Sequence, residues 1–205
     1  MIDMKEKRIV FRRAVAAGVM IGVGAAVKLS CANEVVGSVF FSIGLFCICA
    51  FGLNLFTGKI GYVLDEKNYA DIGVIWLGNL VGCSLSMGLL RFAKPALHST
   101  AAGLMEGKFA QNLPAAMILA MFCGALMYLA VENYKRNPSG TGKIFGVVFC
   151  VTVFLLCGFE HSVADMCYAV LYVSSFWQGL QCLGFILAIS VFNGVGSVLT
   201  RKLVR

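Results

Sequence analysis

The chain has 205 residues, of which 60% are hydrophobic and 13% charged, and its formal net charge is +7. A soluble globular protein has roughly 25% charged residues, so this composition excludes an ordinary soluble domain and predicts an integral membrane protein. The net positive charge does not by itself indicate a nucleic-acid partner, because that function needs cations gathered on one polar face. Nine cysteines lie mostly in apolar runs without any C-x-x-C pair, which is typical of buried, reduced thiols and indicates neither a disulfide framework nor a metal site.

Six apolar stretches are long enough to cross a bilayer as helices, since one crossing needs about 20 residues. They lie at 12–30, 36–64, 70–92, 112–133, 143–172 and 179–200. The sequence therefore predicts an all-α integral membrane protein with one transmembrane domain over residues 1–205.

The basic residues fall mainly on one side of these predicted spans. Only four of the 17 lie on the side opposite the N-terminus, namely Lys28, Arg91, Lys94 and Lys108. Because cytoplasmic loops carry an excess of Lys and Arg, this distribution predicts that both termini are cytoplasmic. A lipid bilayer thus accounts for the net charge, and no nucleic-acid partner is predicted.

The second and fifth stretches are longer than one crossing needs, and each contains a polar or glycine-rich interruption, at 51–59 and 157–166. After each interruption follows an N-x-V-G element, which begins at Asn79 in the first half and at Asn193 in the second. Three spans per half would give the halves opposite orientations, so the pattern predicts an inverted repeat at about 10–92 and 112–200. Broken helices in such repeats meet near the middle of the membrane and form the permeation or binding site.

Three ionisable residues, Glu160, His161 and Asp165, lie inside the fifth apolar stretch. A charged side chain at the bilayer centre costs roughly 2.5–3.5 kcal/mol, so such residues indicate a pathway. His161 can donate a proton or a hydrogen bond to an anion near neutral pH; the alternative is a histidine that only ties two helices together. Glu160 cannot share a helical face with its neighbour, and we interpret Glu160 and Asp165 as structural.

Lys108 lies in the segment 99–108, before the fourth predicted span, either as a solvated loop lysine or at the outer mouth of a pathway. The sequence contains no nucleotide-phosphate loop and no convincing Ser-His-Asp or Cys-His set. An enzyme is therefore not predicted, and no cofactor is expected.

Several short motifs resemble those of the formate/nitrite transporter family. The run G-F-E-H-S-V-A-D-M at 158–166 is similar to the family signature G-F-E-H-S-x-A-N-M, and L-F-T-G, G-N-L-V-G and L-A-V follow the family order at 55–58, 78–82 and 129–131. The resemblance covers about residues 8–200. It implies an aquaporin-like fold in a homopentamer, in an inner or plasma membrane of prokaryotic type. It also implies one pore per protomer for formate, nitrite, hydrosulfide or related small monovalent anions of weak acids.

The resemblance also implies roles for individual residues. His161 matches the central pore histidine, Thr57 the threonine beside it, and Lys108 the lysine of the outer vestibule. The asparagine of the last family motif matches Asn193. The hydrophobic constrictions match Phe41 and Phe154 on the outer side, and Leu45 and Leu55 on the inner side.

The chain departs from the family pattern at three informative positions. Gly124 stands where the family has an asparagine, Glu132 where it has a tryptophan, and Asp165 where the signature has an asparagine.

On this basis the sequence predicts a channel or transporter whose flux depends on pH. Lys108 would attract the anion, the constrictions would reject strongly hydrated ions, and His161, steadied by Thr57, would exchange a proton with the substrate. A bare anion pays a heavy desolvation cost in an apolar neck, whereas its neutral acid does not. Two alternatives remain: a strictly proton-coupled carrier, and a non-transporting membrane scaffold or sensor that retains the fold.

Overall fold

A computed structural model describes residues 4–205; residues 1–3, the start of the predicted cytoplasmic N-terminus and of the predicted domain, lie outside the described residues. Within 4–205 the chain is helical, with short connections and no strand. The helices are α1 Met4–Ser30, α2 Glu34–Ala50, α3 Phe56–Lys59, α4 Val63–Glu66, α5 Tyr69–Ala93, α6 Leu97–Ala110, α7 Leu113–Arg136, α8 Gly140–Leu156, α9 Ser162–Tyr172 and α10 Phe176–Val204, and one 3₁₀ turn, Ile60–Tyr62, joins α3 to α4.

Four of the described helices, α1, α5, α7 and α10, are long and apolar enough to cross a membrane. The apolar helices α2, α8 and α9 are shorter. Large hydrophobic side chains cover much of the outer surface of the bundle; Phe92 and Trp177, for example, are 92% and 75% exposed. A surface this apolar is stable in lipid rather than in water, and the chain is a membrane protein.

Close helix contacts in both halves depend on glycine. A Cβ atom at Gly82 of α5 would collide with the backbone of Val15 in α1, and a Cβ atom at Gly196 of α10 would collide with the backbone of Met121 in α7. Small residues at such contacts let helix backbones approach closely inside a membrane. The pairs α1–α5 and α7–α10 therefore form equivalent packing units.

Helical conformation stops at Ala50 and resumes at Phe56, and it stops again at Leu156 and resumes at Ser162. Each connection contains a glycine with positive φ, Gly52 at +62° and Gly158 at +64°. L-residues rarely adopt this conformation, so glycine permits the turn without strain.

The segment 99–108, interpreted from the sequence as a loop, lies within the helix α6. Its buried face consists of Leu97, Ala101 and Met105, which are four residues apart and therefore share one side of a helix. The loop interpretation is thus wrong, and Lys108 is held in the last turn of a packed helix.

Candidate functional site

His161 lies at the second helix interruption and caps the start of α9. The backbone N–H of Ala164 donates to Nδ1 of His161 over 3.0 Å, so the imidazole supplies an acceptor for one of the N–H groups that a helix start leaves unpaired. The side chain is buried, with His161 only 2% exposed. Local helix capping therefore fixes the position and the ring orientation of this histidine.

Thr57, from the short helix α3 after the first interruption, reaches His161. The distance from Thr57 Oγ1 to His161 Nε2 is 2.9 Å, and both residues are buried. Because Nδ1 accepts the Ala164 N–H, a neutral ring carries its proton on Nε2 and donates it to Thr57. The hydroxyl hydrogen of Thr57 is then free to turn toward another acceptor, so the pair can present an O–H donor to an anion.

Of the two predicted outer constriction residues, Phe154 lies against the same histidine and Phe41 lies against Phe154. The ring of Phe154 stacks on His161 with centroids 5.3 Å apart and planes 22° apart. Phe41 contacts Phe154 edge-on at 5.9 Å, and both phenylalanines are buried. An aromatic pair thus covers one face of the imidazole and excludes water from it.

The predicted inner constriction residues, Leu45 and Leu55, are also buried. Leu45 lies one turn after Phe41 on α2, and Leu55 directly precedes α3. Leu55 lines a cavity of about 90 Å³ that Lys59 and Lys135 also line. Leu55 therefore forms part of the wall of this small basic cavity.

Lys108 forms what we call the Lys108 cluster, with Gln111, Glu160 and Asp165. Its ammonium group contacts Glu160 and lies 3.1 Å from Oδ1 of Asp165, and Gln111 Nε2 donates to Glu160 Oε1 over 2.6 Å. Burial lowers the pKa of Lys108, but the carboxylates of Asp165 and Glu160 outweigh burial and leave that pKa above the ordinary value for lysine. Lys108 is therefore charged and paired. Its partners lie about fifty residues away in the sequence, and so distant a pairing leaves no pattern from which it could be predicted.

The amide of Asn193 is fully engaged with the backbone around His161. Asn193 Oδ1 accepts from the N–H of Ser162 over 3.0 Å, and Nδ2 donates to the carbonyl oxygens of Glu160 and Ala120, each over 2.8 Å. Asn193 is completely buried. Its observed contacts hold the second interruption in place, and none of them leaves the amide free for a substrate.

Asn79 makes the equivalent contacts at the first interruption, a role that sequence reasoning missed. Its Oδ1 accepts from the N–H of Phe56 over 2.8 Å, and its Nδ2 donates to the carbonyl oxygens of Asn54 and Ala14 over 2.9 and 2.8 Å. The signal that could have found it is the N-x-V-G element, which Asn79 shares with Asn193.

Gly124 has a structural explanation. A Cβ atom at Gly124 would collide with the carbonyl oxygen of Asn193, just as one at Gly18 would collide with the carbonyl oxygen of Asn79. The side chain found in the family at this position therefore has no space here, and glycine lets α7 approach α10 at the residue that holds the second interruption.

A second polar group, the Tyr62 cluster, lies at the opposite end of α7 from the Lys108 cluster and was missed by sequence reasoning. It consists of Tyr62, Glu132, Lys135, Arg201 and Arg205. The Tyr62 hydroxyl donates to Glu132 over 2.6 Å, and Arg205 Nη2 donates to the same carboxylate over 2.8 Å. The cations of Lys135 and Arg201 lie over the Tyr62 ring at 3.8 and 4.4 Å. Glu132, which replaces a family tryptophan, thus links α7 to the 3₁₀ turn through Tyr62 and to the end of α10 through Arg205.

Comparison with known proteins agrees with the resemblance seen in the sequence. The model of the formate/nitrite transporter family matches residues 4–204. The chain belongs to the formate/nitrite transporter family. Among curated members, it is 28% identical over 182 residues to the uncharacterized transporter YrhG of Bacillus subtilis, covering 80% of this chain and 67% of that protein. It is 24% identical over 185 residues to the formate channel FocB of Escherichia coli, covering 79% and 66%.

A solved structure of a pentameric formate channel with formate bound has the same fold as this family member, with a TM-score of 0.80. The match covers 97% of this chain and 96% of that chain at 20% identity. The chain spans about two thirds of the length of YrhG and of FocB. Membership and fold are therefore established.

Proposed function

We propose that this chain forms a pore for small monovalent anions of weak acids such as formate, nitrite or hydrosulfide. The observation that carries the proposal is the buried His161–Thr57 pair, a hydrogen-bond donor set with the ring of Phe154 stacked on its imidazole. An anion that leaves water for an apolar neck loses its hydration, so one placed donor offsets part of a large cost. Membership in the formate/nitrite transporter family supports the same conclusion.

In this proposal the chemistry divides among three groups. Lys108 places an N–H donor at the outer mouth, where Glu160 and Asp165 compensate its charge, and the constrictions Phe41–Phe154 and Leu45–Leu55 exclude hydrated ions. Between them, Thr57 donates a hydrogen bond to the passing anion while His161 orients its hydroxyl group. His161 takes up a proton only when Nδ1 releases the N–H of Ala164, so a proton relay through this ring requires a local change at the start of α9.

The proposed architecture has six membrane spans within one domain over residues 1–205. Spans one, three, four and six are α1, α5, α7 and α10; α2 with α3 and α4 forms the broken second span, and α8 with α9 the broken fifth. The matching contacts of Asn79 and Asn193 support an aquaporin-like inverted repeat, at about 10–92 and 112–200. We also propose a homopentamer with both termini cytoplasmic, in an inner or plasma membrane of prokaryotic type.

Uptake of formate into proteoliposomes tests the pore. We expect Thr57→Val to reduce initial uptake at least tenfold, since it removes a hydrogen bond to a charged group worth about 1.5–3 kcal/mol in a dry site. His161→Phe should have a similar effect, because the Thr57 hydroxyl group then loses the partner that orients it. His98→Phe is the matched control, because His98 is the other histidine and lies outside the described site. Unchanged uptake in both site variants would contradict the proposal.

The same vesicles distinguish the alternatives. A channel is expected to show initial rates that do not saturate at high formate concentration, whereas a proton-coupled carrier saturates, and a scaffold or sensor gives no uptake above empty vesicles. A panel of formate, nitrite, hydrosulfide, acetate and lactate then identifies the preferred anion.

A further inference from the structure

The Lys108 cluster contains one more buried negative group than it has cations. Lys108 is the ion-pair partner of both Glu160 and Asp165. Glu160 and Asp165 are 2% and 0% exposed. With both carboxylates ionised, the cluster carries one uncompensated negative charge, and such a charge in a buried site costs several kcal/mol.

The other groups around Asp165 do not supply the missing positive charge. Outside the cluster, the titratable groups close enough to Asp165 to interact with it electrostatically are Cys123, Cys167, Tyr168 and Cys182, and His161 lies one helical turn before it. The thiols and the phenol are not cations, and His161 is held neutral by its contacts with Ala164 and Thr57. Arg91 of α5 is engaged with the carbonyl oxygens of Val170 and Val173, beyond Asp165 along α9. The start of α9 contributes only roughly half a positive charge.

The hydrogen bonds indicate which of the two carboxylates lacks donors. Glu160 accepts from Lys108 and from Gln111, so its ionised form has two donors. Asp165 Oδ1 lies 3.1 Å from the Lys108 ammonium nitrogen, but within the described part of the chain neither of its buried carboxylate oxygens has a partner with hydrogen-bond geometry. Asp165 and Glu160 contact the same ammonium group of Lys108, so the two carboxyl groups are direct neighbours. A proton on Asp165 would satisfy both observations, because Asp165 could then donate to Glu160 and the cluster would be neutral.

We propose that the Lys108 cluster is a proton-binding site in which Asp165 holds one exchangeable proton. The proton is taken from and returned to water at the Lys108 end of the protein. When the proton is bound the cluster is neutral, and when it is lost the cluster carries one negative charge beside the pathway. The consequence for flux rests on the proposed anion pore: the deprotonated cluster repels anions, so anion entry falls as the pH rises. This adds a titrating group that is separate from His161.

Infrared difference spectroscopy tests proton binding without any transport measurement. Between acid and alkaline pH, the wild-type protein in lipid is expected to lose the C=O band of one buried carboxylic acid. Asp165→Asn should lack this band. Glu160→Gln should lack it too, because one carboxylate then pairs with one lysine and no proton is needed. Asp71→Asn is the matched control and should retain it. A pH-dependent band that persists in both cluster variants, or its absence from the wild type, would overturn the proposal.

Flux measurements test the consequence. Uptake by Asp165→Asn is divided by uptake by the wild type at each pH. The protonation of the substrate itself is the same for both proteins, so its pH dependence cancels in this ratio. We expect this ratio to rise about tenfold from acid to alkaline pH, the effect of one unit charge roughly 10 Å away at an effective dielectric constant of about 20. A ratio that is constant with pH would contradict the electrostatic effect. Absence of uptake in every protein would instead refute the proposed pore and leave the infrared result standing.

Discussion

The two helix interruptions are built from the same backbone parts. At each one a glycine with positive φ makes the turn, Gly52 in the first half and Gly158 in the second. A buried asparagine then pairs with the first N–H of the next helix, with the carbonyl oxygen two residues earlier, and with a carbonyl oxygen of the first helix of the same half. The scaffold that holds non-helical backbone inside the protein is therefore duplicated.

The side chains displayed on this scaffold are not duplicated. The residue directly before the resumed helix is Leu55 in the first half and His161 in the second. The central hydrogen bond takes Thr57 from one half and His161 from the other. The same backbone packing is therefore required in both halves. The hydrogen bond at the centre, in contrast, needs only one residue from each half, and these two residues differ.

The strongest test of the duplicated scaffold removes its asparagines. We expect Asn193→Ala and Asn79→Ala each to lower the free energy of unfolding by about 3–9 kcal/mol, because each leaves three buried backbone groups without partners at about 1–3 kcal/mol per group. Unfolding in mixed detergent micelles measures this. Asn112→Ala is the control, since Asn112 is exposed and should change stability by no more than about 0.5 kcal/mol. If only one of the two substitutions lowers the free energy of unfolding, the two halves are not equivalent.

A smaller effect is expected where the helices approach most closely. Gly124→Ala and Gly18→Ala place a methyl group against the backbone of Asn193 and Asn79, and we expect each to cost about 3 kcal/mol, the upper part of the usual range for overpacking. Gly184→Ala is the matched control on α10, because nothing lies within 4 Å of its Cβ position. Substituting glycine by alanine there should be neutral or stabilising by up to about 1 kcal/mol. Equal stability of Gly124→Ala and Gly184→Ala would show that α7 and α10 can separate freely.

The sequence indicated the features that depend on local pattern. The interruptions were predicted from the polar or glycine-rich runs 51–59 and 157–166 in over-long apolar stretches, and His161 from an ionisable residue in a hydrophobic stretch. The N-x-V-G elements indicated that Asn79 and Asn193 are equivalent, although not what they bind.

Contacts between distant parts of the chain could not be predicted in this way. Nothing local links Lys108 to Glu160 and Asp165, or Tyr62 to Glu132 and Arg205. These pairs form because helix packing brings together residues that are far apart in sequence. For the same reason, Gly124 was recognised as a departure from the family pattern, but its cause, the backbone of α10, became visible only in the fold.

The smallest expected effect concerns the chain after each interruption, where the halves differ most. The second half continues as the 11-residue helix α9, whereas the first half divides into α3, a 3₁₀ turn and α4. Short pieces make few internal hydrogen bonds, so residues 56–66 depend on the Tyr62 cluster for their position. We expect Tyr62→Phe, which loses the bond to Glu132, to destabilise this segment by about 1.5 kcal/mol.

Hydrogen exchange measures that local effect. The amides of residues 56–66 should exchange roughly tenfold faster in Tyr62→Phe, the factor that about 1.4 kcal/mol produces, while those of α9 stay unchanged. Tyr69→Phe provides the control, because Tyr69 is 60% exposed. If exchange rose equally in both halves, the Tyr62 cluster would stabilise the whole bundle. If exchange rose only in residues 56–66, the segment that carries Thr57 would be easier to displace than the helix α9 that follows His161. A conformational change in the proposed pore would then begin at Thr57.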